Sequence, residues 1–191
     1  MKTVSFSIKS LSPLLMNSTK AMERDGGAKG VSTKKIPSAI DEAAVKAYRD
    51  EEGFLYVPCI FFRQAMVSAG KGRKIGKFFA TTLIKGSVID PDRKARLVDP
   101  ETGEFISEYG IDERPVVVGS ARVMRARPRV ERWACDVMLD VDEEVFSAKD
   151  MAVLVDVLNM AGSRIGVGDY RVEKGGWFGR FEVVGWQMVE E

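Results

Sequence analysis

The chain has 191 residues, 45% of them hydrophobic and 30% charged, which is the composition of a folded domain with a sizeable core rather than of a disordered segment. It contains no histidine and two cysteines, so Ser-His-Asp and Cys-His catalysis are excluded, as is an ordinary zinc site. A carboxylate-held magnesium site survives that exclusion, as does catalysis by Lys, Asp or Tyr.

Val4, Phe6 and Ile8 alternate with Ser5, Ser7 and Lys9, which predicts a first strand over residues 3–11, not the apolar core of a signal peptide. The longest apolar runs, such as Phe54 to Phe62, fall far short of the roughly 20 residues a membrane helix needs, and the expected location is the cytoplasm. Residues 17–38 are polar and glycine-bearing, with no apolar period, and read as a long loop carrying Lys20, Arg24, Asp25, Lys34 and Lys35. A short helix is expected over Asp41 to Tyr48, a turn over Asp50 to Gly53 and a strand over Phe54 to Val57.

Pro58 suits the first turn of a helix that runs to Ala69 and stops at Gly70. Cys59, Phe62, Met66 and Ala69 fall on one face of it and read as core; Cys59 and Cys135 read as buried free thiols. Thr81 to Ile89 reads as a strand, and residues 90–113 as a turn-rich insertion with room for a small hairpin. Val116 to Met124 and Trp133 to Leu139 read as paired strands joined through Arg125 to Arg132. Ser147, with Asp150 three residues on, caps a helix to about Met160, and a last strand covers Arg180 to Val189.

This order of elements predicts an α+β, ferredoxin-like or RRM-like fold: two helices on one face of an antiparallel sheet. The whole chain reads as a single domain with insertions at about 12–53 and 90–113.

The formal net charge of +1 hides a segregation. Gly53 to Ile89 holds no Asp or Glu but carries Arg63, Lys71, Arg73, Lys74, Lys77 and Lys85. Pro115 to Val130 is also free of acids and carries Arg122, Arg125, Arg127 and Arg129. The last three alternate at period two, so they share one strand face, where like charges repel and a polyanion would compensate. Lys71 to Lys77 follows a helix and exceeds what a helix C-terminus needs, which favours contact with phosphate.

Between Gly162 and Gly179 stand six glycines, at positions 162, 166, 168, 175, 176 and 179. With Arg164, Arg171, Lys174 and Arg180 beside them, they read as a loop offering N–H groups and cations to phosphates. Tyr170, Trp177 and Phe178 supply faces on which bases could stack. The loop follows a helix and lacks the third glycine of a dinucleotide fingerprint, and Gly70-Lys71-Gly72-Arg73-Lys74 lacks the spacing of a P-loop. No resident cofactor or metal is expected. Asp140, Asp142, Glu143 and Glu144 read as a solvated loop, which leaves Asp25 as the one candidate catalytic carboxylate.

Two segments carry a family resemblance. Tyr56-Val57-Pro58, leading into a helix with Arg63 and Ala65, resembles the strand–Pro–helix segment of the RAMP superfamily of CRISPR-associated proteins. Gly176-Trp177-Phe178-Gly179-Arg180 resembles the Gly-rich loop before their last strand. Phe61 and Gln64 depart from that pattern, where it has small residues, and the insertion at 90–113 has no counterpart in it. The resemblance implies an RRM-like backbone subunit that oligomerises along a guide RNA beside other effector subunits.

The expected partner is therefore single-stranded nucleic acid, RNA in preference to DNA, bound through the cations named above other than Lys9, Lys85 and Arg129, together with Gly176 and Phe178, without a membrane. A structural or virion protein with no nucleic acid stays open as a reading, and so do two others. One is a phage or mobile-element protein that coats or anneals single-stranded DNA. The other is a metal-dependent ribonuclease using Asp25, as some members of the resembled family cut target RNA with a loop aspartate.

Overall fold

A computed structural model describes residues 1–18, 38–147 and 150–189. In chain order the elements are β1 (Lys2–Ser10), β2 (Leu14–Leu15), α1 (Ala39–Lys46), β3 (Tyr56–Pro58), α2 (Cys59–Ala69), β4 (Lys74–Ile75) and β5 (Phe78–Phe79). Then follow α3 (Ala80–Ser87), β6 (Val88–Ile89), β7 (Lys94–Arg96), β8 (Gly110–Val118), β9 (Ala121–Val130), β10 (Ala134–Val141), α4 (Met151–Arg164) and β11 (Phe181–Met188).

The alternation at the N-terminus has the expected consequence. Val4, Phe6 and Ile8 are buried toward the helices, and β1 becomes the central strand, antiparallel to β10 on one side and to β11 on the other. The sheet order is β11-β1-β10-β6. Helices α2 and α4 pack on each other, α2 also against β10 and α4 against β11. This is the α+β, RRM-like arrangement. Its core is aromatic at the centre, where Phe62 of α2 meets Phe181 of β11 edge-on at 5.2 Å, beside the fully buried Trp133. Helix α2 stops at Gly70 as expected, with the Gly70 N–H donating to the Met66 carbonyl. Cys59 and Cys135 are free and buried.

Two expected elements differ in type or connection, and α4 differs in its bounds, with Asp150 rather than Ser147 at its N-cap and its last residue at Arg164 rather than Met160. Residues 80–87 are helical, and only Val88 and Ile89 form a strand. The β-branched residues there mimic a strand, but the buried positions Ala80, Ile84 and Ser87 recur at helical spacing. The second difference lies at Gly119-Ser120, where Gly119 adopts φ +62° and the chain reverses as a hairpin between β8 and β9. The expected strand over Val116 to Met124 thus spans a turn. Arg125, Arg127 and Arg129 stand in β9 rather than in a connection, and β10 pairs with β1 instead.

β8 and β9 join β2 in a second sheet, on which α1 packs through β9. Within 90–113, Val98 bridges Phe105 to make a small hairpin, and β7 pairs with β3. Helix α1 starts two residues earlier than expected because the Ser38 hydroxyl accepts the Asp41 N–H at 3.1 Å. Among the described residues, no helix is long and apolar enough to cross a membrane.

Candidate nucleic-acid interface

The Gly-rich segment after α4 folds back onto the β1–β2 connection and onto β2. The Gly179 N–H donates to Pro13 O (2.8 Å), the Asp169 N–H to Leu15 O (2.9 Å) and the Val167 N–H to Gly179 O (2.9 Å). The Gly176 N–H donates to Arg171 O at 3.1 Å. These N–H groups face protein carbonyls, so the expected phosphate cradle is corrected at these positions.

The glycines have a different cause. A Cβ on Gly176 would stand 1.7 Å from Tyr170 O, and one on Gly179 would stand 1.7 Å from Val167 O. Only a residue without a side chain lets these backbones meet. Phe178 is also corrected as a stacking residue, because it is fully buried. It lies under Trp177 (4.4 Å between centroids), with the Arg114 and Arg129 guanidinium groups 4.7 and 5.7 Å from its ring. Tyr170 and Trp177 remain 40% and 48% exposed beside it.

The arginine row on β9 does share one face, as its spacing predicts, but its compensating charges come from the protein. Arg125 meets Glu42 of α1 at 3.4 Å, and Arg127 pairs with Asp169 of the Gly-rich segment. Arg129 lies 2.6 Å from Glu131 and 3.6 Å from Asp112 of β8. Glu42 is the best defined of these carboxylates, accepting from Lys46 Nζ (2.6 Å) and the Ala126 N–H (3.0 Å). Burial pushes its carboxyl up, but the Lys46 and Ala126 hydrogen bonds and the Lys46 and Arg125 charges outweigh that and hold it below the ordinary value.

Arg63 has a structural partner too. Its guanidinium donates to Lys85 O (2.9 Å) and Val88 O, satisfying carbonyls at the end of α3. Arg171 is held by Glu173 (2.9 Å) and Gly168 O (3.3 Å). Of the acidic cluster, Asp140 holds Thr3 and Arg93, Glu143 pairs with Lys2, and Asp142 accepts the Glu144 N–H. Among the described residues no three His, Cys, Asp or Glu side chains gather as a metal site.

The cations that stay exposed with no carboxylate at ion-pair distance among the described residues include Lys71, Arg73, Lys74 and Lys77 after α2, and Arg122, Arg164, Lys174 and Arg180 elsewhere. The fold gathers part of this set. Arg73 Nη1 lies 2.9 Å from Met160 Sδ, one turn before Arg164. The Glu173 carboxyl, which burial alone would raise, is held low by hydrogen bonds from Ser68 and Arg171 and by the charges of Arg171 and Lys174. That contact joins the end of α2 to the segment carrying Lys174. A cleft of about 350 Å³ opens between them, with Gln64 and Ser68 on the helix side and Gly166, Gly168 and Arg171 opposite.

Arg122 sits apart, near the tip of the β8–β9 hairpin, and Arg180 beside the β1–β2 connection, where its N–H donates to Ser12 Oγ. Lys20, Arg24, Asp25, Lys34 and Lys35 lie outside the described residues. Two features escaped the sequence reading. Arg114 stands over the Phe178 and Tyr170 rings, and Phe78 and Phe79 are open to solvent. Only the Phe-Phe pair carried a signal, aromatic residues set among lysines.

No family model matches the chain, and no curated protein matches it. Twenty-seven chains of solved structures do. One belongs to the cryo-EM structure of the Type III-B Cmr-beta bound to cognate target RNA, with a TM-score of 0.51 at 14% identity. The two share a fold. The alignment takes in 99% of this chain and 61% of the other, so this chain spans about three-fifths of that neighbour's length.

Proposed function

We propose that this chain is an RNA-binding subunit of a CRISPR-type ribonucleoprotein, holding single-stranded RNA by its backbone and repeating along a guide RNA as a homo-oligomer beside other effector subunits. One observation carries the reading: the acid-free segment Lys71 to Lys77 and the exposed cations Arg164 and Lys174 converge at one edge of the RRM-like core. Unpaired cations are the ones free to release counterions from phosphate. The neighbour sharing this fold comes from a structure bound to target RNA, which supports the choice of ligand. Tyr170 and Trp177 offer ring faces to unpaired bases, a mode of contact tolerant of sequence.

Filter binding with matched RNA and DNA oligomers over a salt series tests the proposal. If about six phosphates are engaged, log K falls against log salt with a slope near −4, at about −0.7 per phosphate on a single strand. RNA should bind more tightly than DNA. Equal affinity for the two ends the RNA-specific reading in favour of a single-stranded DNA-binding protein, and a flat salt response ends the backbone model altogether.

A further inference from the structure

β4 and β5 form a two-residue ladder, with Lys74 opposite Phe79 and Ile75 opposite Phe78, closed by Gly76 at φ +60° and Lys77. Ile75 turns in and packs against the core, whereas Phe78 and Phe79 are 64% and 56% exposed. The hairpin's placement is fixed. The Ala80 N–H donates to Arg73 O (3.0 Å), the Arg73 N–H to Gly70 O (3.2 Å), and Gly70 sits tight against Ala80.

Single exposed apolar residues are common on protein surfaces, but two adjacent phenylalanines on a short, anchored ribbon are not accounted for by packing. Successive residues of a strand project to opposite faces, so the two rings are presented on the two sides of the ribbon. Lys71, Arg73, Lys74 and Lys77 precede them within eight residues of chain, all exposed, and no acid occurs from Gly53 to Ile89. Lys74 Nζ lies 5.4 Å from the Phe79 centroid. Rings interleaved with unpaired cations suit one ligand chemistry: bases that stack while their phosphates meet ammonium and guanidinium groups.

We infer that Phe78 and Phe79 are a base-stacking site for single-stranded RNA, continuous with the phosphate-binding edge at Lys71 to Lys77. The inference rests on the RNA-binding reading above and adds to it a contact that reads bases rather than backbone. An acidic protein surface is the competing occupant, and the test separates the two.

The probes are oligouridylate and an abasic ribose-phosphate oligomer of the same length, with affinity measured by fluorescence anisotropy at low and high salt. The Phe78→Ala/Phe79→Ala variant should bind oligouridylate at least about tenfold more weakly than the wild type. Its salt slope should stay the same, because no phosphate contact is removed. On the abasic oligomer the two proteins should bind alike.

Phe78→Leu/Phe79→Leu keeps the apolar bulk without the aromatic face and should show the same loss, which guards against an alanine variant that folds poorly. If the wild type binds oligouridylate and both variants match it, the stacking site is wrong while the RNA reading stands. If wild type fails to bind oligouridylate at all, the RNA reading itself fails. Competition by polyglutamate that depends on the two rings, with unchanged oligouridylate binding, assigns the site to an acidic protein and overturns the inference.

Discussion

Replacing Gly179 by alanine asks what the Gly-rich segment is for. The new Cβ would stand 1.7 Å from Val167 O, whereas real Cβ contacts start near 3.0 Å, so one of the two backbones must retreat by more than 1 Å. That retreat breaks the Val167 N–H bond to Gly179 O and disturbs the Gly179 N–H bond to Pro13 O, each worth about 1 kcal/mol net. The φ of +67° adds about 1–2 kcal/mol for any residue with a side chain. The sum is about 3–4 kcal/mol, a large part of the roughly 5–15 kcal/mol that holds a domain together. Gly175→Ala is the control: its φ is +79°, but nothing lies within 4 Å of the added methyl, so only the backbone cost of about 1–2 kcal/mol applies. Urea unfolding followed by tryptophan fluorescence gives both values. Equal destabilisation by the two substitutions refutes the packing account. A Gly179→Ala protein that is stable yet loses RNA affinity would return the segment to a role as a phosphate cradle.

Three further predictions concern charge and thiols. Glu42→Gln should cost about 1–3 kcal/mol at neutral pH, because Lys46 and the Ala126 N–H lose a charged acceptor. The folded carboxyl titrates below its unfolded value, so this stabilisation is present above the unfolded value and disappears as pH falls through the folded one; urea midpoints of wild type and variant should converge on acidification, and a constant gap would contradict the assignment. Burial pushes the Cys59 thiol up to about 11 and the Cys135 thiol up as well, so neither should be alkylated by iodoacetamide at pH 8 until urea is added, as mass spectrometry would show. Arg164→Ala should leave the urea midpoint nearly unchanged while reducing the salt slope of RNA binding by about 0.7, whereas Arg127→Ala should lower the midpoint because it strands Asp169; the reverse pattern would mean that the two arginines have exchanged roles.

Much of the core was legible because its signals are local. Alternation at Val4, Phe6 and Ile8, the Pro58 start and Gly70 stop of α2, and the apolar stripe at Cys59, Phe62 and Met66 all act within a few residues. Errors arose where two local signals compete. Thr81, Thr82, Val88 and Ile89 favour a strand, but Ala80 and Ile84 are spaced to bury a helix face, and packing against α2 decides for the helix. At Gly119-Ser120 the apolar run on either side outweighed a two-residue turn signal that should have divided it.

The candidate interface was legible only in part, for a reason that lies in sequence distance. An acid-free stretch shows that no carboxylate is near along the chain, but not that none is near in space. Glu42 stands 83 residues before Arg125 and Asp169 stands 42 after Arg127, so these two arginines read as uncompensated in sequence and are compensated in the fold. Lys71 to Lys77 passes both tests, since the neighbours the fold brings to it are Met160, Ser68 and two phenylalanine rings rather than carboxylates at ion-pair distance; Glu173 is engaged by Ser68 and Arg171. The cations left free for a polyanion are thus set by which acids the tertiary structure has already engaged, and that is why the proposed site lies away from the densest arginine run and on a lysine-rich hairpin.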